Sequence, residues 1–255
     1  MAEVVELIGS STTSEQKLWL DEYAKVAAMR RNAADFVSDL VFVSADECAV
    51  VCIDERVQPV SGPFAKMTLW RLPGSGILLG SNWKDSLQKA AAMLRGKVSI
   101  ITWHRACGAA AEAKKRFGLK GNVDSIAKKF AMELSELLGI RCREIVIASG
   151  LSLKLHTARG VVYDGTGLYH ASNTMPQMFV VSRKLIDDTA VSLDNLVMSH
   201  GIAVGHGFGD KFKEQAFQIV VLAETEKQLP KLLSEVESQL PHLDNSEVHG
   251  VVMAA

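Results

Sequence analysis

Two short stretches of this 255-residue chain hold side chains that can do chemistry together. One is Cys52-Ile53-Asp54-Glu55-Arg56, the other His104-Arg105-Ala106-Cys107-Gly108. The thiols of Cys52 and Cys107 and the imidazole of His104 make a donor set that zinc prefers. Three protein ligands leave a fourth tetrahedral position for water or substrate, which marks a catalytic rather than a structural site. In extended backbone residues two apart point the same way, so Cys52, Asp54 and Arg56 share a direction. A carboxylate beside such a metal either binds it and closes the site or accepts a hydrogen bond from the metal-bound water. The planar fork of Arg56 suits a carboxylate and would hold Asp54 ionised and away from the metal. Two thiolates cancel the charge of Zn²⁺, so water is acidified less than in a three-histidine site, and well-oriented neighbours must restore its reactivity. Cys48 and Cys142 lack a ligand-type neighbour at close spacing and read as small buried hydrophobes.

Each cluster stands at the end of an expected strand. Residues 48–53 (CAVVCI) and 97–103 (KVSIITW) are short apolar runs rich in Val and Ile, the pattern of buried strands. As parallel neighbours they would bring both clusters to the carboxyl edge of one sheet, where open α/β folds place their ligands. Residues 67–70 (MTLW) predict a strand running into a turn at Pro73–Gly76, and 144–149 (EIVIAS) predict another strand. A capping box at Thr13-Ser14-Glu15-Gln16 opens a helix to about Arg31, with Trp19, Tyr23 and Val26 on one face. Residues 84–95 read as helical. From Asn122 to Leu138, Ile126, Phe130, Leu134, Leu137 and Leu138 follow helical spacing, and Gly139 supplies a stop.

This alternation predicts an α/β fold, a mainly parallel sheet flanked by helices. The polar break at 172–176 (SNTMP) divides a zinc domain with an N-terminal helical arm (1–171) from a C-terminal extension (172–255). The extension carries runs at 179–182, 217–223 and 250–253, with helices near 190–204 and Pro230–Leu240. It either continues the same sheet or packs as a small α+β lobe. No internal repeat or low-complexity tract is visible.

The charge balance, 28 Lys+Arg against 29 Asp+Glu for a net −1, lacks the basic excess of a general nucleic-acid binder. No apolar run approaches the ~18 residues of a membrane span. The acidic N-terminus has neither the basic flank nor the apolar block of a signal peptide, which points to the cytoplasm. Four cysteines are too few for a disulfide scaffold, and reduced thiols suit that compartment.

CIDER (52–56), followed 52 positions later by HRACG (104–108), resembles the β-class carbonic anhydrases, with their Cys-x-Asp-x-Arg and His-x-x-Cys-Gly pattern. LWRLPGSG (69–76) is similar to that family's strand ending in Arg-Asn-Ala-Gly, and ARGVVYDGTGLY (158–169) to its Gly-x-x-Tyr-Asp…Thr-Gly turn. The four motifs occur in family order and cover about residues 48–170. The resemblance implies that Cys52, His104 and Cys107 ligate zinc and that Asp54 with Arg56 orients a zinc-bound hydroxide. It implies reversible hydration of CO₂ to bicarbonate, and a homodimer or higher homo-oligomer with sites near the subunit interface. It also implies that the helix at 14–31 packs on the partner subunit. The chain departs from the family at Glu55, where a small residue is usual, and at Leu72-Pro73 in place of Asn-Ala. The final ~80 residues have no counterpart in its common form.

Two other readings share these residues. Carbonyl sulfide or carbon disulfide, also linear with an electrophilic carbon, could replace CO₂. Alternatively the scaffold binds zinc without catalysis, with Asp54 in the fourth position and the C-terminal segment serving assembly. His156 and His170 flank the Tyr-Asp turn and read as surface imidazoles, with proton relay as the alternative role. His200, His206 and the glycine-rich 205–210 read as a flexible connection, and Met67 and Trp70 as core rather than pocket residues.

Overall fold

The computed structural model describes residues 14–31, 40–57, 62–147, 156–171, 175–205, 212 and 214–253. Helix α1 (Ser14–Arg31) and strand β1 (Val41–Phe42) precede β2 (Cys48–Val51). Strand β3 (Thr68–Arg71) leads through a short 3-10 turn at Pro73–Gly76 to α2 (Trp83–Leu94), β4 (Ile100–Trp103) and α3 (Gly108–Phe117). Then come α4 (Val123–Leu138), β5 (Arg141–Glu144), β6 (Gly160–Asp164), β7 (Tyr169–His170) and β8 (Met178–Ser182). The chain continues through α5 (Thr189–Gly205), β9 (Phe217–Ala223), α6 (Leu229–Glu237) and β10 (Ser246–Val252).

The fold is α/β, with parallel sheets flanked by helices. One four-stranded sheet runs β3-β2-β4-β5, with every pairing parallel. A second runs β8-β6-β9-β10, again all parallel, and β1 pairs antiparallel with β7. Numbered by chain order within each sheet, with β7 paired elsewhere, both sheets read 2-1-3-4. No repeat is visible in the residues, yet the topology repeats, because strand order follows from connection rules rather than from side-chain identity. The sheets approach through β3 and β8. The Arg71 amide donates to Ser182 Oγ at 2.9 Å, and the Val180 amide donates to the Ile53 carbonyl, one residue beyond Cys52, at 3.2 Å.

Two expectations need adjustment. Strand β6 lies before the boundary expected at 172 but pairs with β8 and β9 beyond it, so that boundary falls inside a sheet. The strand expected at 144–149 is β5 at 141–144. It is an edge strand of charged, mostly exposed residues, so it lacks the apolar run that marks buried strands. The capping box begins at Thr13, outside the described residues, where residues 206–210 of the glycine-rich segment also lie.

Helix α1 presents Trp19, Val26 and Met29 inward. Trp19 packs edge-on to Phe212 at 5.8 Å, with the Arg159 guanidinium over its ring, and Glu22 accepts from the Gln177 amide at 2.5 Å. The helix therefore lies on the C-terminal part of its own chain. Asn122 caps α4 by accepting from the Ser125 amide, and Gly139 ends the helix in the left-handed conformation (φ 68°), as the spacing predicted. Among the described residues no helix is long and apolar enough to cross a membrane.

Candidate metal centre

Strands β2 and β4 are parallel neighbours, with Ala49 opposite Ile100 and Val50 opposite Ile101. Cys52 follows the last residue of β2, His104 follows the last of β4, and Cys107 opens α3. All three are buried, and their ligand atoms lie within 4.8 Å of one another. The strand interiors hold this register through a buried chain of bonds: Ser75 Oγ donates to the Thr102 carbonyl (2.5 Å), and Thr102 Oγ1 donates to the Val50 carbonyl (2.6 Å).

The loop between His104 and Cys107 takes a left-handed residue at Ala106 (φ 52°). Its amide donates to Asp124 Oδ1 at 2.8 Å, in the first turn of α4, and its carbonyl accepts from Arg56 Nη2 at 3.2 Å. These bonds hold in place a conformation that an L-residue otherwise avoids. Gly74 approaches from the turn after β3, and its amide donates to Cys52 Sγ at 3.3 Å. A Cβ on Gly74 would stand 2.9 Å from Ile77 Cγ2 and 3.4 Å from Cys107 Sγ, at a φ of +50°. Glycine suits this position because a Cβ there would clash with Ile77 and adopt a strained left-handed conformation.

The cluster has the chemistry of an ion site. His104 Nδ1 lies 2.9 Å from the Arg105 carbonyl, which fixes that nitrogen as the donor and turns Nε2 inward. Nε2 is buried and makes no hydrogen bond among the described residues. A ring held by a backbone carbonyl, with its other nitrogen bare, is the usual arrangement of a metal-ligating histidine. A hydrogen bond from Cys107 holds Cys52 well below the ordinary thiol range, against burial and with help from the charge of His104. The same bond pushes Cys107 well above it. Burial pulls His104 down, but the Cys52 sulfur outweighs this and leaves the imidazole at about 9. Cys48 is buried away from it and pushed up to about 12 by burial, while Cys142 is half-buried and also raised by burial.

Asp54 and Arg56 meet as the residue spacing predicted. Asp54 Oδ1 accepts from the Arg56 backbone amide (3.0 Å) and Nε (2.8 Å), and Oδ2 accepts from Nη2 (2.6 Å). Burial alone would raise Asp54, but the guanidinium and the charge of His104 bring it down to about 2. Oδ2 stands 3.9 Å from His104 Nε2, close to the cluster but bound to Arg56. This arrangement disfavours Asp54 as a fourth ligand, since a metal would have to break the fork.

A small pocket of about 10 Å³ borders the cluster at Cys52. Asp54, Gly108, Phe179, Met198 and Ile202 are among the residues that line it. It shares Gly108, Ala109, His156, Met198 and Ile202 with a cavity of about 610 Å³ that also reaches Arg56, Glu112 and Lys115.

Several side chains differ from their expected roles. His156 is not a surface imidazole: its side chain is 9% exposed, and Nδ1 stands 3.0 Å from Glu55 Oε2. His170 is buried too, with Nε2 2.7 Å from the Met67 carbonyl. Met67 and Trp70 are core residues. Arg71 is fully buried, and its three guanidinium nitrogens make no hydrogen bond among the described residues. Burial lowers it to about 10, while the Tyr169, Cys52 and Asp164 charges oppose that fall. Glu55, His156 and Gly74 carry no ligand-type spacing, and only distance in space shows their connection to the cluster.

The class these features define is an α/β protein with a buried Cys-His-Cys group able to hold a metal ion. Comparison with family models, curated proteins and solved structures gave no match to the chain.

Proposed function

We propose that the chain is a zinc enzyme that hydrates CO₂ reversibly to bicarbonate and a proton, in the manner of the β-class carbonic anhydrases that its motifs resemble. One observation carries the reading. The Cys52–His104–Cys107 cluster lies beside an ionised Asp54 whose two oxygens are held by Arg56, next to a small, largely apolar pocket. Zinc in such a donor set lowers the pKa of the water it binds and supplies a nucleophile near neutral pH. Cys52, His104 and Cys107 hold the ion. Asp54 accepts a hydrogen bond from the attacking water and fixes its direction, and Arg56 keeps that carboxylate ionised and still. Ile53, Phe179, Met198 and Ile202 line an apolar pocket with room for about one water-sized molecule.

The resembled family also suggests a homodimer. Purified protein should contain about one zinc per chain and should accelerate CO₂-driven acidification in stopped-flow with a pH indicator. Full activity in zinc-free protein, with no gain on adding zinc, overturns the reading. Hydrogen sulfide released from carbonyl sulfide, with no CO₂ hydration, would reassign the substrate on the same site.

A further inference from the structure

Between helix α1 and the second sheet is a pocket of about 290 Å³. This is close to the lower limit of the roughly 300–1,000 Å³ range of small-molecule sites, so its occupant is small. Tyr23 and Arg30 reach it from α1, Arg159 from just before β6, Gln218 from the start of β9 and Asn245 from just before β10. It therefore lies at the amino ends of these strands, and it shares no lining residue with the pockets at the metal cluster. Two of its charges are unpaired. Arg159 is 3% exposed, and its guanidinium stacks on the Trp19 ring, 3.1 Å from the centroid. Nη2 donates to the neutral amide oxygen of Gln215 at 2.6 Å, while Nη1 makes no hydrogen bond and no carboxylate pairs with the group among the described residues. Glu22 is near, but its oxygens accept from Lys25 Nζ (2.8 Å) and the Gln177 amide (2.5 Å). Burial lowers Arg159 to about 10, and the Glu22 and Tyr23 charges oppose that fall. A buried guanidinium without a counter-charge is costly. Glu214, exposed on the same lining, likewise has no hydrogen bond or ion pair among the described residues. Glu247, in contrast, is taken by Arg30 (2.9 Å) and Gln218 (3.4 Å). A cation and an anion that line one cavity without meeting leave a place for a molecule that carries both.

We infer that this pocket binds a small zwitterion, an α-amino acid with a short neutral side chain, its carboxylate on Arg159 and its ammonium group toward Glu214. The inference goes beyond the CO₂-hydration reading and depends on no metal. The planar fork of a guanidinium matches a carboxylate, and stacking on Trp19 fixes its plane before a ligand arrives. Gln215 Oε1 holds one donor position with a neutral oxygen, and the charged oxygen of the ligand, a stronger acceptor, displaces it. Arg159 then gains the counter-charge it lacks. Glu214 attracts the ammonium group. Asn245 commits its Nδ2 to the Phe212 carbonyl, which leaves Oδ1 to accept from a ligand N–H or O–H. A dianion is disfavoured, because Glu214 and Glu247 repel its second charge.

The test is isothermal titration calorimetry of the purified full chain with L-alanine and L-serine as probes, against acetate, ethylammonium and inorganic phosphate. At least one of the two amino acids should bind saturably with a dissociation constant at or below about 1 mM, and acetate, ethylammonium and phosphate at least about 10-fold more weakly. Glu214→Gln, a change at an exposed position, should weaken amino-acid binding by about 10-fold and leave acetate binding unchanged. Arg159→Gln should abolish amino-acid binding. Because Arg159 also packs on Trp19, Gln215→Ala serves as the companion variant: it removes the competing oxygen and should tighten binding by about threefold, which a merely structural role would not produce. The Gln215 side-chain amide should also shift in the ¹⁵N spectrum as the amino acid is added. No saturable binding of either amino acid up to about 10 mM overturns the inference. So does acetate or phosphate binding as tightly as the amino acids, or amino-acid binding indifferent to Glu214→Gln. None of these outcomes bears on the CO₂ reading, which turnover tests separately.

Discussion

The two sheets run their strands in the same order, and the ends of corresponding strands differ in what their polar groups do. After β2 and β4 of the first sheet come Cys52, Asp54, His104 and Cys107, and His104 Nε2 is buried without a hydrogen bond among the described residues. At the end of β6 in the second sheet, Asp164 turns back on its own loop. It accepts from the Thr166 amide and hydroxyl and from the Gly167 and Tyr169 amides. Just past β8, Arg183 is paired with Glu235, which also accepts from Tyr163. One frame therefore ends either in a group that could hold a metal ion or in polar groups that satisfy one another. The outcome depends on whether the polar groups at the carboxyl ends of the strands spend their bonds on each other. The second half still serves the site, because Phe179, Met198 and Ile202 come from it.

The sharpest way to break this contrast is to remove one polar group from each half. Cys107→Ala should lower zinc affinity by more than about 100-fold, read by metal analysis after gel filtration. Asp164→Asn should keep full zinc and lower unfolding stability by about 2 kcal/mol, since it weakens a buried acceptor with four donors. Zinc loss in Asp164→Asn would show that the halves are not separable. Asp54→Asn should retain zinc and lose about 100-fold in turnover; near-normal turnover refutes the role given to that carboxylate.

Acidity probes the same difference more gently. His104, raised to about 9 by the Cys52 sulfur against burial, stabilises the metal-free fold below the ordinary imidazole range and loses that contribution as pH rises through about 9. Asp54, lowered to about 2, contributes above the ordinary carboxylate range and loses its contribution as pH falls toward 2. Cys52, held below the ordinary thiol range, works in the opposite sense, so denaturation midpoints of zinc-free protein should change little between pH 6 and pH 9.5 (values chosen to bracket the imidazole). Zinc binding should strengthen over the same rise, because the ion displaces protons from His104 and Cys107. The smallest effect belongs to the covering half. Met198→Ala should change kcat/KM by about threefold at most and zinc content not at all. Metal loss in that variant would make the wall part of the ion's support.

How far the residues alone revealed this depended on the range of the interactions. Strands β2 and β4 were readable because both faces are buried and Val and Ile repeat without a polar break. Strand β5 was misplaced because an edge strand such as Arg141–Glu144 looks like a loop. The candidate ligand set stood out by residue type, since thiols and imidazoles are scarce (Cys 4, His 7) and these three fall at strand ends. The Glu55–His156 pair was invisible because 101 positions separate its members. Buried Arg71 and the Gly74–Cys52 bond were hidden for the same reason. The recurring strand order left no trace in the letters, because topology constrains connections and burial, not identities.

The order of parts along the chain has a consequence for biosynthesis. All three ligands lie within the first 107 residues, while Phe179, Met198 and Ile202 emerge from the ribosome much later. A nascent polypeptide with only its leading sheet formed can capture an ion before the pocket beside it is complete. Cation loading would then precede closure, and release of the finished chain would seal a centre already filled.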